Sequence, residues 1–309
     1  MINNVKKITI DNKIYILSLE YILGLFEGDG SITIQLKPNI SHKTGKQVVL
    51  IFEIHQHVID VDLLKAISIF LDCGKVEIGR KVGAPDTWVY RLRISTQTDI
   101  LNNLLPLLQS QSMMLNKREH DIKLFVHACL LVKDKKHTNI EGQSELGTIA
   151  ARLSSKLSFE NKQKLPDTNK SLNAEWVTGF TDAEGHFSFT IVPPKLDSNY
   201  TGVRFEFGIT QESSERVFLT NLKQFLGCGN VYTDNRGGGR FSVFNKKDLI
   251  SKIIPFFEVN ELQTIKKYSF LRFKKALEIC IENKPLLSNH VAELKILLSE
   301  TTNKRPRKI

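Results

Sequence analysis

The 309-residue sequence predicts an α+β fold, a tandem duplication of one α-β-β-α-β-β-α unit. Three observations carry this expectation. Short motifs recur in the same order at a constant offset, each copy opens on a helix-start signal, and behind each start polar and apolar residues alternate with strand period.

The repeat comes first because it decides the domain plan. Residues 20–30 (EYILGLFEGDG) correspond to 175–185 (EWVTGFTDAEG), 52–56 (FEIHQ) to 207–211 (FGITQ), and 70–76 (FLDCGKV) to 225–231 (FLGCGNV), all at an offset of 155. The offset then falls to 149, where RLRI at 91–94 meets RFSV at 240–243, Pro106 meets Pro255 and Lys117 meets Lys266; Glu145 and Leu146 meet Glu293 and Leu294 at 148. The second copy is therefore shorter in one loop. The plan is a first half over 1–133, a closing helix and linker over 134–172, and a second half over 173–309, with the polar stretch 161–170 as the linker proper.

Within a copy the elements follow in order. Ser18 and Asn173 are N-cap residues with a Glu in the following turn, and Gly30 and Gly185 fit the position just past a helix end. Gly24 and Gly179 lie inside these helices, where glycine costs about 1 kcal/mol against alanine. Their recurrence predicts close backbone approach, most simply of the two helices to each other across a pseudo-two-fold axis. Alternation follows: Ser31, Thr33, Gln35 and Lys37 against Ile32, Ile34 and Leu36, and His186, Ser188 and Thr190 against Phe187, Phe189 and Ile191. A second strand covers 48–54 and 203–209, an amphipathic helix 61–71 and 214–226, and a second strand pair lies near 75–80 and 88–95. Helices close the copy.

Each predicted sheet has an apolar face and a polar or basic one. This suits a half-solvated antiparallel sheet, and equally a sheet laid in the DNA major groove, which admits a β-ribbon. A formal charge of +10 and the twofold repeat favour an anionic partner. No apolar run is long enough for a membrane span, and the first 18 residues carry no uninterrupted apolar core of a secretory signal and no convincing transit pattern. Cys73, Cys129, Cys228 and Cys280 form no C-x-x-C pair, so free thiols are expected rather than zinc.

Asp29 and Glu184 are equivalent, each one residue before the helix-ending glycine. A carboxylate is unfavourable at that end of a helix, which is already partly negative. If the two helices pack together, two acids and two helix ends converge and call for a cation. Carboxylate oxygens at that density are ligands for Mg2+, with water and phosphate, and this is the setting of two-metal phosphodiester hydrolysis. Gln56 and Gln211 end equivalent strands and are placed to orient water. Lys117 and Lys266, or their neighbours Arg118 and Lys267, are placed to neutralise charge in the transition state. Glu27 and Asp182 are expected to hold the helix ends rather than to catalyse. The histidines His55, His57, His120 and His127 are scattered and read as core or surface residues.

Residues 23–30 (LGLFEGDG) and 178–185 (TGFTDAEG) resemble two copies of the LAGLIDADG motif, and the likeness extends through the FxIxQ strand ends to the C-terminal lysines, over about 17–298. The sequence is similar to the single-chain, double-motif homing endonucleases of organellar introns. The resemblance implies two four-stranded antiparallel sheets forming a DNA-binding saddle, motif helices packed at the pseudo-two-fold interface, and a monomer. It implies Mg2+-dependent cutting of both strands at a long asymmetric site, with Ca2+ or Mn2+ as substitutes, and a mitochondrial location. By position, Asp29 and Glu184 would be metal ligands, with the carbonyls of Gly28 and Ala183 beside them. Expected DNA contacts are Ser31, Thr33, Gln35, Lys37, Lys75, Arg80, Arg91 and Arg93 in the first half. In the second half they are His186, Ser188, Thr190, Arg204, Asn230, Tyr232, Arg240 and Ser242. Of these, Arg91 is the expected reader of a base edge. A group I intron RNA maturase on the same fold, binding intron RNA, is the alternative; a non-enzymatic DNA-binding regulator fits poorly, because retained acids facing phosphate weaken binding without metal.

Overall fold

The computed structural model describes residues 5–81, 83–154, 171–193, 201–234 and 237–302. The chain divides into two compact units, Met1–Trp176 and Val177–Ile309. The stretch 161–170, expected to be the linker, lies outside the described residues.

The first unit opens on a hairpin the sequence reading did not anticipate, β1 (Lys6–Ile10) and β2 (Lys13–Leu17). Asp11 and Asn12 turn it with φ of 46° and 66°, the two left-handed residues that a tight hairpin of matching twist requires. Helix α1 (Leu19–Asp29) follows, its start capped by Ser18, whose hydroxyl accepts the Tyr21 N–H at 3.1 Å. Strands β3 (Gly30–Pro38) and β4 (Lys46–His57), helix α2 (Val61–Leu71), and strands β5 (Lys75–Arg80) and β6 (Val89–Ile94) come next. A π-helical turn (Asp99–Leu104) leads into α3 (Leu105–Ser110), then α4 (Asn116–Lys133) and α5 (Ile140–Ser154). The sheet is antiparallel in the order β3-β4-β6-β5.

The second unit repeats this plan. Helix α6 (Ala174–Glu184) begins at the unit boundary, with the Asn173 side chain accepting the Trp176 N–H at 2.7 Å. Strands β7 (Gly185–Val192) and β8 (Gly202–Glu212), helix α7 (Arg216–Leu226), and strands β9 (Asn230–Thr233) and β10 (Gly238–Val243) form a sheet in the order β7-β8-β10-β9. A π-helical turn (Leu249–Ile253), α8 (Ile254–Val259), α9 (Lys266–Glu282) and α10 (Ser288–Thr302) close it. The α-β-β-α-β-β-α order and the strand bounds thus agree with the sequence reading to within three residues, the second strand of each unit running three residues further than expected, and residues 213–215 form a 3-10 turn ahead of α7.

One face of each sheet is the core. In the first unit Phe52, Ile54, Leu92 and Ile94 meet α2, whose stripe Leu63, Leu64, Ile67 and Phe70 has the i, i+3, i+4, i+7 spacing of a half-buried helix. Phe26 of α1 stacks on Phe52 with ring centroids 4.3 Å apart. The second core is built on phenylalanine: Phe187 packs against Phe207, Phe257, Phe270 and Phe273. All four cysteines are free and buried. Among the described residues no helix is long and apolar enough to cross a membrane.

Gly30 stands just past the end of α1, as expected. It is extended, at φ −93° and ψ 164°, so it does not serve as a left-handed helix cap. It is glycine because α1 runs directly into β3: a Cβ here would lie 2.1 Å from the Phe26 ring and 2.4 Å from the Phe26 carbonyl oxygen. Gly185 is similarly close to Thr181, with its side-chain methyl at 2.5 Å.

Candidate active site and nucleic-acid face

The motif helix of each unit ends where its sheet begins, so chain connectivity alone puts a carboxylate at the root of the first strand. Asp29 is the last residue of α1 and Glu184 the last of α6; both are half-buried. The register that pairs Gly30 with Ile54 carries Gln56, two residues further along β4, to the helix end. There the Gln56 amide donates to Asp29 Oδ2 at 2.8 Å, from a side chain only 7 % exposed. Gln56 therefore orients the carboxylate itself, where the sequence suggested a water. Gln211 ends β8 half-buried, opposite Gly239.

The last carbonyls of a helix lack intrahelical donors, and a cation there also meets the negative end of the dipole. Each unit supplies one, from different positions. In the second unit Lys266, 4 % exposed, donates from Nζ to the carbonyls of Thr181 (2.9 Å) and Ala183 (3.0 Å). In the first unit Arg118 donates from Nε to Glu27 O (3.0 Å) and from Nη2 to Gly30 O (2.7 Å), its guanidinium lying 5.4 Å from the Phe26 ring centre. Two expectations are corrected. Lys117, the counterpart of Lys266 by offset, instead pairs with Asp121 one turn along α4. The Ala183 carbonyl, expected beside a metal, is engaged by an ammonium group. Gly28 is half-buried between Glu27 and Asp29.

The acids two residues earlier anchor the next helix. Glu27, 2 % exposed, accepts the backbone N–H groups of Met114 (2.9 Å) and Leu115 (2.7 Å) just before α4, and the Trp176 indole N–H (2.8 Å). Asp182 accepts the N–H groups of Gln263 (2.7 Å) and Thr264 (3.3 Å) just before α9. A carboxylate at a helix N-terminus is favourable, but burial dominates at Glu27 and pushes its carboxyl up to about 7.

The other face of each sheet carries the polar candidates. Thr33, Lys37, Lys75, Arg80, Ser188, Thr190, Arg204, Asn230, Tyr232 and Arg240 are exposed, and Ser31, Gln35, Arg91, Arg93 and His186 are half-buried. Ser242 is corrected: it is 1 % exposed, with its hydroxyl donating to Glu206 at 2.8 Å. Arg91, the expected base reader, is paired with acids on the same face. Its Nε and Nη2 donate to Glu77 (2.9 and 2.6 Å) and its Nη1 lies 3.2 Å from Glu53. The acids Glu53, Glu77 and Glu206 were missed, although the alternation that places Arg91 and Arg93 on this face places them there too. Burial lowers the pKa of His55 and His186, which lie 3.4 and 3.5 Å from Glu53 and Glu206. Among the described residues no three His, Cys, Asp or Glu side chains converge as a ligand cluster.

Two matched α+β units, each with a carboxylate-tipped helix feeding a sheet with one polar face, define a duplicated-motif protein. The chain belongs to the LAGLIDADG endonuclease family, which matches residues 22–129 and 177–277. It is 28 % identical over 304 residues to the Neurospora crassa protein named "Probable intron-encoded endonuclease 2", covering 90 % of this chain and 64 % of that protein. It is 25 % identical over 291 residues to "Probable intron-encoded endonuclease 3" of the same fungus, covering 89 % and 52 %. The chain thus spans about half to two thirds of the length of these curated relatives. In fold it is similar to the I-SmaMI LAGLIDADG homing endonuclease bound to cleaved DNA, with a TM-score of 0.82 at 24 % identity, covering 94 % of this chain and 98 % of that one. The same enzyme bound to an uncleaved DNA target in the presence of calcium ions gives 0.81, also at 24 % identity, covering 93 % and 99 %.

Proposed function

We propose that the protein is a site-specific endonuclease that cuts both strands of a long, asymmetric double-stranded DNA site, acting as a monomer with the halves 1–133 and 173–309 joined through 134–172. The observation that carries this reading is the matched pair Asp29 and Glu184, each ending a family motif helix at the root of a sheet with a polar face. The solved DNA-bound relatives support the choice of partner.

The donor set fits a hard divalent cation: carboxylate oxygens at negative helix ends, the ligand class that Mg2+ takes. Asp29 in the first unit and Glu184 in the second would each serve as a ligand. Bound there, Mg2+ would supply charge stabilisation and an acidified water for phosphodiester hydrolysis. The protein's own groups have distinct tasks. Gln56 fixes the Asp29 carboxylate, and Lys266 and Arg118 hold the helix ends that aim the two acids. The exposed polar face of each sheet takes one half of the duplex. The calcium in a relative's DNA complex supports divalent metal, with Mg2+ the proposed ion. A fungal relative over a third of the chain, named an uncharacterized mitochondrial protein of Saccharomyces cerevisiae, supports a mitochondrial site of action.

The test is cleavage of a randomised duplex library with Mg2+ by the wild type, Asp29→Asn and Glu184→Gln. The expected result is one discrete site cut by the wild type, and binding without double-strand cutting by both variants. A wild type that binds DNA but never cuts it, or variants that cut at the wild-type rate, would overturn the proposal.

A further inference from the structure

The polar faces carry charges that a DNA-binding surface would do better without. Glu53 sits in the middle strand of the first sheet, 8 % exposed, and holds Arg93 Nη1 at 2.7 Å, with Arg91 Nη1 at 3.2 Å. Glu206, in the middle strand of the second sheet, lies 3.3 Å from Arg240 Nη1 and accepts the Ser242 hydroxyl. The equivalence of Arg91 and Arg240 in the repeat does not extend to the acids. The position matching Glu53 is Gly208, and the one matching Glu206 is Ile51. Each unit thus places a carboxylate beside its face arginines from its own strand position.

Stability does not explain this arrangement. The Glu206–Arg240 pair is partly exposed and contributes little, and an acid buried as Glu53 is must first offset its own desolvation before its ion pairs add anything. Order does explain it. A guanidinium held by an acid loses rotamer freedom before DNA arrives, and reading guanine through two parallel hydrogen bonds needs a fixed fork. Arg93 is held through one nitrogen and Arg91 through three, so Arg93 is the arginine better able to reach a base. Arg240 is held similarly and is flanked by Tyr232 and Phe244, ring centres 5.8 and 5.9 Å away.

We propose that Glu53 and Glu206 are positioning residues for DNA specificity: each fixes a base-reading arginine (Arg93, Arg240) and removes one positive charge from its face, so sequence choice sharpens while sequence-independent affinity falls. The proposal rests on the DNA-binding reading above.

The full chain is tested with Ca2+ in place of Mg2+, so that binding is read without cutting. A duplex is selected from a randomised library by the wild type, and dissociation constants are measured for every single-base-pair substitution and across a salt series. Glu53→Gln should lower discrimination about 10-fold at base pairs of one half-site only. The slope of log affinity against log salt should steepen by about 0.9, as a released arginine neutralises one more phosphate. Glu206→Gln should do the same in the other half-site; it lies on the other unit and stands as the test alone should Glu53→Gln fail to fold. Wild-type base preferences and salt slope in the folded variants overturn the proposal while leaving the DNA reading intact. A wild type that selects no sequence overturns both.

Discussion

Raising the pH from about 5 to about 8 should weaken the first unit through Glu27. Its carboxyl is buried at the end of α1, and burial outweighs the three N–H groups that favour its charged form, moving it from an ordinary 4.5 to about 7. The folded chain therefore holds this proton where the unfolded chain has released it. Between 4.5 and 7 the unfolded state binds fewer protons, so stability falls as pH rises, by about 3 kcal/mol in all once the folded carboxyl has ionised. His55, His120, His137 and His186 act oppositely, because their lowered pKa values make stability fall as pH drops below 6.5. Urea unfolding at each pH, followed by Trp176 fluorescence, should therefore compare wild type with Glu27→Gln. The amide turns one acceptor into a donor facing an N–H, a pH-independent loss of about 1–3 kcal/mol. The histidine contributions cancel in the difference, wild type minus variant, which should fall by about 3 kcal/mol from low to high pH, to zero or below. A difference that stays constant or widens refutes the reasoning.

The helix ends yield further tests by thermal or urea melting. Lys266→Met should destabilise by about 2–4 kcal/mol, because it strips donors from two carbonyls inside the protein, whereas Lys267→Met loses only an exposed pair with Glu261, at most about 1 kcal/mol. In the first unit the order inverts: Arg118→Met should cost more than Lys117→Met, and equal losses would contradict the assignment of Arg118 to the helix end. Gly30→Ala should destabilise by more than about 2 kcal/mol, since the new methyl meets a backbone carbonyl as well as the Phe26 ring. Gly185→Ala should cost less, because every contact is longer: the Thr181 methyl at 2.5 Å and its carbonyl oxygen at 2.9 Å, against 2.1 and 2.4 Å at Gly30; the reverse order would remove the explanation offered for these glycines.

Most of the fold was legible because its signals are periodic and occur twice. The alternation after Gly30 and Gly185, the stripe over 61–71 and the caps at Ser18 and Asn173 each depend on local chemistry that the structure leaves intact. The hairpin at Lys6–Leu17 was missed although Asp11-Asn12 between alternating runs is a turn signal; it lies ahead of Glu20, where the first matched segment begins, so the repeat carries no sign of it. The positions of Asp29 and Glu184 were legible from the motif. The choice between Lys117 and Arg118 was not, because adjacent residues at the start of a helix point about 100° apart and only tertiary packing decides which one reaches α1. The face acids were overlooked for a different reason. Acids and arginines share the same alternation on this face, and which of them pair depends on cross-strand register, which brings Glu53 and Glu77 to Arg91.

These cases share one physical pattern. The terminal carbonyls of a motif helix need a cation, and Lys266 meets that need in one unit as Arg118 does in the other, across one step of sequence. The N–H groups that open α4 and α9 need an acceptor, and Glu27 and Asp182 supply it with side chains of different length. The length difference has a consequence of its own. The longer Glu27 also takes the Trp176 indole N–H, whereas Asp182 takes the Thr264 hydroxyl, so the anchor that holds Asp29 in place differs chemically from the one that holds Glu184. On the proposed function, an Asp in one unit and a Glu in the other, on differently anchored helices, would not present identical oxygens to their ligands. With equal substitutions at Asp29 and Glu184, the two DNA strands should therefore be nicked at unequal rates, and equal rates on both strands would mean that the asymmetry of the supports does not reach the acids they carry.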